Sequence, residues 1–240
     1  MSKHTSLFRR ILEGLRRAPA DSPTYEAVQP NRPPATGNRP ILVVVEGGND
    51  IEFLRRASVI LKAEDEALPD LTHLERCGRI VFVPFGGDPR NWVFRFAELG
   101  RPEFHIFDRE VSPATEIRRE SARIVNLRPG CHAAITSKRS LENYLHCDAV
   151  LEARGIEVQF TDDDDVADLV AERCFLRQHP GGGWGELSAR ARRRLRNRAK
   201  SWLNTLAVDR VTVARFAERD PVGEITGWLR IIAEMAGASS

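Results

Sequence analysis

Ile41-Leu42-Val43-Val44-Val45-Glu46-Gly47-Gly48-Asn49-Asp50 carries five apolar residues, four of them β-branched, straight into a carboxylate and two glycines. A run that is apolar on both faces reads as a central strand of a parallel sheet. Open parallel sheets place their chemistry just beyond the carboxyl ends of the strands. Glu46 stands at such an end. Phe104-His105-Ile106-Phe107 repeats the pattern and ends in Asp108-Arg109-Glu110. Two strands thus deliver three acids to one edge.

Outward from 41–45, Asn49 is suited to cap the next helix, and Glu52, three residues on, completes a capping box. That gives Glu52 a structural task, and the helix is expected to run to residue 63. A second strand is expected at 79–84, followed by Gly86-Gly87, then a helix through 92–99 and a third strand at 104–107. Pro113 starts another helix, and a fourth strand falls at 131–136. Strands separated by helical segments imply right-handed crossovers. The expected fold class is α/β, a parallel sheet of about four strands flanked by helices, with a C-terminal helical extension.

Three regions follow. Residues 1–38 place Leu7, Phe8, Ile11, Leu12 and Leu15 on one helical face among arginines, then run into Pro19, Pro23, Pro30, Pro33 and Pro34. Such a basic helix can touch a membrane, nucleic acid or a protein; the reading preferred here is a helix that packs on its own domain or frays. Residues 39–150 are expected to form the α/β domain that carries the acidic edge. Residues 151–240 are helical. Within them Asp162 to Asp165 read as a solvated helix N-terminus. Gly181-Gly182-Gly183 lacks the neighbours a phosphate loop needs. Residues 190–200 hold seven basic residues in eleven.

The bulk numbers exclude more than they assign. Lys+Arg is 36 and Asp+Glu 34, a net charge of +2 that points to no partner. Basic residues are overwhelmingly arginine, the lysines being Lys3, Lys62, Lys138 and Lys200. Cys77, Cys131, Cys147 and Cys174 are too dispersed for a structural zinc site. No stretch approaches the roughly 20 apolar residues of a membrane span. The chain reads as a reduced, cytoplasmic, soluble protein with no membrane partner.

The acids carry the chemistry. In an extended segment, residues two apart point the same way, so Asp108 and Glu110 can face one site. Glu46 and Asp50 join them from the neighbouring strand end, and Glu142 is a further candidate. Crowded carboxylates repel unless a cation sits among them. Oxygen-only ligands suit Mg²⁺ or Mn²⁺, and such sites align water and a phosphodiester for in-line attack. His105, inside a strand, reads as a core histidine, and Tyr144 as packing. The one-signed segment 190–200 can neutralise phosphates.

Glu46-Gly47-Gly48-Asn49-Asp50 after its strand resembles the first motif of the TOPRIM domain, and Phe107-Asp108-Arg109-Glu110 resembles the second. Thr136-Ser137-Lys138-Arg139-Ser140-Leu141-Glu142-Asn143-Tyr144-Leu145 is similar to the Glu-Asn-Tyr-Leu segment of OLD-family nucleases. The likeness extends through Leu203-Asn204 and the segment from Asp220 to Leu229, covering roughly 40–236. It implies a Mg²⁺-dependent TOPRIM endonuclease, with Mn²⁺ able to substitute. Glu46, Asp50, Asp108 and Glu110 would hold metal, Glu46 also serving as a base. Glu142 would be a further catalytic acid, and Lys138 would stabilise charge on the phosphate. Arg139, Arg190, Arg193, Arg194 and Lys200 are the nucleic-acid contacts expected. Glu110 departs from the family's usual Asp. OLD proteins also carry an ATPase domain, whereas the one Lys-Ser pair here, Lys200-Ser201, follows Ala199 rather than glycine. ATP hydrolysis is therefore not expected, and a separate ATPase subunit and a homodimer are the partners left open. The substrate expected is DNA ahead of RNA, in phage defence or repair. A nucleic-acid-binding scaffold without catalysis, as in recombination mediators, is the third reading.

Overall fold

β1 (Ile41–Val45) is buried throughout, and its residues alternate between two cores. Ile41, Val43 and Val45 face one side; Leu42 and Val44 face the other. The period of two that governs strand side chains explains this division. The computed structural model describes residues 39–237. The basic helix and proline-rich linker expected in 1–38 lie outside the described residues.

The sheet has four parallel strands in the order β2-β1-β3-β4, with β2 at Ile80–Pro84, β3 at Glu103–Phe107 and β4 at Cys131–Ile135. α1 (Gly48–Lys62) follows β1, α2 (Leu71–Arg76) precedes β2, and α3 (Ala114–Asn126) joins β3 to β4. The expected α/β class and the four strands are borne out. β1 and β3 are neighbours, yet β2 lies on the other side of β1. The chain therefore reverses direction across the sheet between β1 and β3, and a crevice opens at such a switch point beyond the strand ends. The two strands that carry the acids flank it.

The helical region is α4 (Cys147–Arg154), α5 (Val166–Gln178), α6 (Ala189–Trp202), α7 (Val213–Arg219) and α8 (Glu224–Met235). It packs on the α1 side of the sheet, and one core runs from Val43 and Phe104 through Phe53 and Leu54 to Trp202, Leu203 and Trp228. The sheet and the helical region therefore share a single core, and the described residues 39–237 fall within one compact unit. A smaller core on the opposite face joins Leu42, Val44 and Phe107 to Ala122 and Val125 of α3. No helix among the described residues is long and apolar enough to cross a membrane.

Two expected elements differ. The helix expected at 92–99 is instead a pair of single 3₁₀ turns, Pro89–Asn91 and Ala97–Leu99. Trp92, Val93 and Phe96 all pack into the smaller core, and aromatic and β-branched residues favour a helix weakly. α1 begins earlier than an Asn49 cap would allow. Its N-cap is Gly47, and Asp50, at the third helical position, accepts the Gly47 N–H at 2.7 Å. Glu52 takes no part in the cap; it pairs with Arg55 at 2.8 Å and Arg56 at 3.4 Å. Asp50 thus has the structural task assigned to Glu52 as well as a place at the site.

Candidate metal centre

One carboxylate oxygen from each of Glu46, Asp108 and Glu110 lies within 4.8 Å of the others. Glu46 follows β1 and Asp108 follows β3, so the register of two adjacent parallel strands brings them together. Glu110 arrives by another route than expected. Its φ is 55°, in the left-handed region, where a side chain is uncommon and costs conformational energy. The segment is therefore bent at Glu110, not extended, and the turn rather than strand alternation aims its carboxylate at Asp108. The Glu110 N–H donates to the Arg139 carbonyl at 2.8 Å, which holds the bend.

Asp50 and Glu142 complete the acidic group, and both are buried. Among them stands Lys200 of α6. Its Nζ is 3.5 Å from Glu142, 3.6 Å from Asp50 and 3.9 Å from Asp108. α6 ends at Trp202 and continues as a π turn, Leu203–Ala207. Such widened turns often mark functional positions. Here the turn presents Asn204, whose Nδ2 donates to Glu142 Oε1 at 2.5 Å and to the Lys200 carbonyl at 2.8 Å. From the opposite side, Arg118 of α3 donates to Glu46 Oε1 through Nε at 3.0 Å and Nη2 at 2.6 Å.

Charge balance sets the protonation of the cluster. Burial raises the Glu46 carboxyl, with Arg118 pulling the other way. Burial pushes Asp50 up to about 6, and Asp108 well above the usual carboxylate range, against the attraction of Lys200. Burial also opposes ionisation of Glu142, but Lys200 and Asn204 outweigh it and hold this acid below its ordinary value. Burial works against the Lys200 charge too, yet Glu142, Asp108 and Asp50 keep it protonated above the usual lysine range. Several carboxylates share one ammonium, and burial with mutual repulsion favours the protonated form of Asp50 and Asp108.

Asp50 gives a stability prediction. Its folded value near 6 lies above the ordinary 3.8. Stability is complete below the ordinary value and is lost as pH rises through the folded one. In metal-free protein, Asp50→Asn is therefore expected to raise stability at pH 8 by up to about 3 kcal/mol. The gain should shrink as the pH is lowered through about 6. Thermal unfolding at a series of pH values reads this directly; a constant offset at every pH would refute it.

The donor set fits a hard divalent cation. Asp50 Oδ1 and Asp108 Oδ2 are buried with no hydrogen-bond partner among the described residues. All the donors are carboxylate oxygens, which suit Mg²⁺ or Mn²⁺ rather than zinc. Comparison of the chain with protein-family models, curated proteins and solved structures finds no match.

The structure brings together Glu46, Asp50, Asp108, Glu110 and Glu142, as the sequence suggested, but it moves two lysines. Lys138 pairs with Asp162 and lies over the Tyr144 ring at 5.5 Å, and makes no ion pair with the acids of the centre. Lys200, expected on a nucleic-acid surface, is instead the ammonium inside the cluster. Arg190, Arg193 and Arg194 are exposed on the outer face of α6. Arg139 is tied to Asp165 at 3.4 Å and stands 3.7 Å from Glu110. The residues 162–165, expected as a solvated helix start, carry ion pairs to several arginines, and Asp165 caps α5. His105 is a buried core residue, its Nε2 2.8 Å from Glu103. Tyr144 is buried against Trp228. Arg118 and Asn204 were not singled out from the sequence: nothing distinguishes Arg118 from Arg119 beside it, and Asn204 entered only within a family likeness.

Proposed function

We propose that this chain is a metal-dependent nuclease of the TOPRIM type that cleaves phosphodiester bonds in DNA. The observation that carries the reading is the convergence of Glu46, Asp108 and Glu110 at the switch point of a parallel sheet. A divalent ion, Mg²⁺ with Mn²⁺ as substitute, would be held by these three with Asp50 beside them, and would polarise the phosphate and lower the pKa of a bound water.

The chain's own residues supply the rest. Arg118 fixes Glu46 so that one oxygen stays free of the guanidinium. Lys200 puts a positive charge beside Asp50 and Asp108, where it can stabilise negative charge gathering on a phosphate. In this reading it takes the role that the sequence likeness gave to Lys138. Glu142 is buried, accepts from Asn204 and stands 3.5 Å from the Lys200 ammonium, so it acts as a positioning residue. Arg190, Arg193 and Arg194 offer phosphate contacts on the outer face of α6.

A second reading, a DNA-binding protein without catalysis, has one observation in its favour: Lys200 already serves as an internal counter-ion to the acids. One assay separates the two. Supercoiled plasmid, and separately tRNA, is incubated with the protein in Mg²⁺, Mn²⁺ or EDTA. Nicking of plasmid in either metal, absent in EDTA and absent in Glu46→Gln, is the expected result. Cleavage of tRNA alone would move the substrate to RNA, and binding without cleavage in any metal would leave the second reading standing.

A further inference from the structure

Arg109, Lys138, Arg139, Arg196 and Arg219 gather beside the acidic centre, and each is engaged by the loop 161–165. Lys138 and Arg219 both reach Asp162 Oδ1, the latter at 3.1 Å. Arg109 pairs with Asp163. Arg139 and Arg196 pair with Asp165 at 3.4 and 2.9 Å. Because Arg139 is also 3.7 Å from Glu110, the loop lies one side chain away from the candidate metal ligands.

The loop is a built turn. Thr161 donates through its N–H and its hydroxyl to Asp164 Oδ2, each at 2.7 Å. Asn143 Nδ2 donates to the Thr161 and Asp164 carbonyls at 2.8 and 3.1 Å. The Arg139 N–H donates to the Asp162 carbonyl at 2.8 Å. The layering is ordered by sign. The Asp163 side chain is 76% exposed and its partner Arg109 28%; Asp162 is 52% exposed and its partner Lys138 8%. At Asp162 and Asp163 the anions lie outside and the cations inside, which is the arrangement a bound phosphodiester strand would impose, whereas Asp165, the cap of α5, lies deeper than its partner Arg196.

We propose that these five basic side chains form a phosphate track leading into the acidic centre, and that Asp162 and Asp163 occupy it as an internal stand-in for the nucleic-acid backbone. An incoming DNA strand displaces the two carboxylates and takes over their partners. The Arg109–Asp163 and Arg219–Asp162 pairs keep a mostly solvent-facing carboxylate and so hold weakly, which opens the exchange to a polyanion that presents several phosphates at once. The proposal rests on the DNA-cleaving reading, but it concerns affinity and is tested without cleavage.

The test is fluorescence anisotropy of a labelled DNA duplex with the full chain in EDTA. Asp162→Asn/Asp163→Asn is compared with Glu64→Gln/Glu66→Gln, which removes the same charge from an exposed segment after α1. The loop variant is expected to bind about tenfold tighter than wild type, with the slope of log K against log salt steeper by about 0.9 for each phosphate gained. Arg109→Gln/Arg219→Gln is expected to weaken binding. Should the double loop variant unfold, Asp163→Asn alone gives the same comparison, since that side chain is mostly solvent-facing. Equal tightening in the loop and control variants, or no binding by either, overturns the proposal. Metal-dependent nicking is read separately, so it stands or falls on its own.

Discussion

Lys200→Met is expected to lower the thermal unfolding midpoint of the metal-free protein at pH 8 by roughly 5–15 °C. The cause is the removal of the ammonium that lies within 4 Å of three buried carboxylates, at 3.5, 3.6 and 3.9 Å. Deleting one partner of a buried ionic group leaves its counter-charges uncompensated, at a cost of about 3–5 kcal/mol when burial is complete. The Lys200 side chain is 19% exposed, so the lower end of that range is the fitting one. Two further readouts make the outcome specific. Lowering the pH toward 5 should narrow the gap to wild type, because Asp50 and Asp108 then carry protons in place of charge. Added Mn²⁺ should recover some of the loss, because a divalent ion supplies the missing positive charge. An unchanged midpoint in metal-free buffer would mean that Lys200 is not the counter-ion of this cluster.

Asp108→Asn is expected to suppress metal-dependent plasmid nicking by more than the roughly 10–100-fold that loss of an outer-shell partner of a metal ligand costs. Asp108 is shared between the carboxylate triplet and the Lys200 group, so both halves of the site lose by its neutralisation. Folding should survive. Asp108 Oδ1 accepts the Leu141 N–H at 3.2 Å, and an amide oxygen can do the same. The buried carboxylate is moreover one whose charge the fold disfavours. The expected pattern is therefore lost cleavage and weakened Mn²⁺ binding by calorimetry, with a thermal midpoint no lower than wild type. Full activity in this variant would remove Asp108 from the metal centre.

The strands and their acids were legible because both signals are local. A continuous apolar run is what a doubly covered strand requires, and an acid after it falls at the edge by construction. The turn at Glu110 was not legible, since its left-handed backbone is held by the Arg139 carbonyl from a distant segment. The start of α1 was misplaced because asparagine is a good N-cap residue and glycine an inconspicuous one. A rare lysine does mark the acidic centre, but at the other position. Rarity among arginines set Lys138 and Lys200 apart alike, and the motif around Lys138 decided the choice. Lys200 lay inside a run that looks like a solvated helix face. The clue it offered was its immediate neighbourhood: Ala199 and Trp202 are buried, so this stretch of α6 turns inward while Arg193 and Arg194 turn out.

The placement of α6 ties the electrostatics of the sheet edge to the order in which the chain is made. Asp50, Asp108 and Glu142 all precede the helix that brings their ammonium. A chain halted before residue 200 would contain the segments of β1 to β4 and their three acids without that counter-charge, and would lack Trp202 and Leu203 from the larger core. Those acids are comfortable only once the last third has docked. Incomplete molecules are thereby penalised at the candidate metal centre itself.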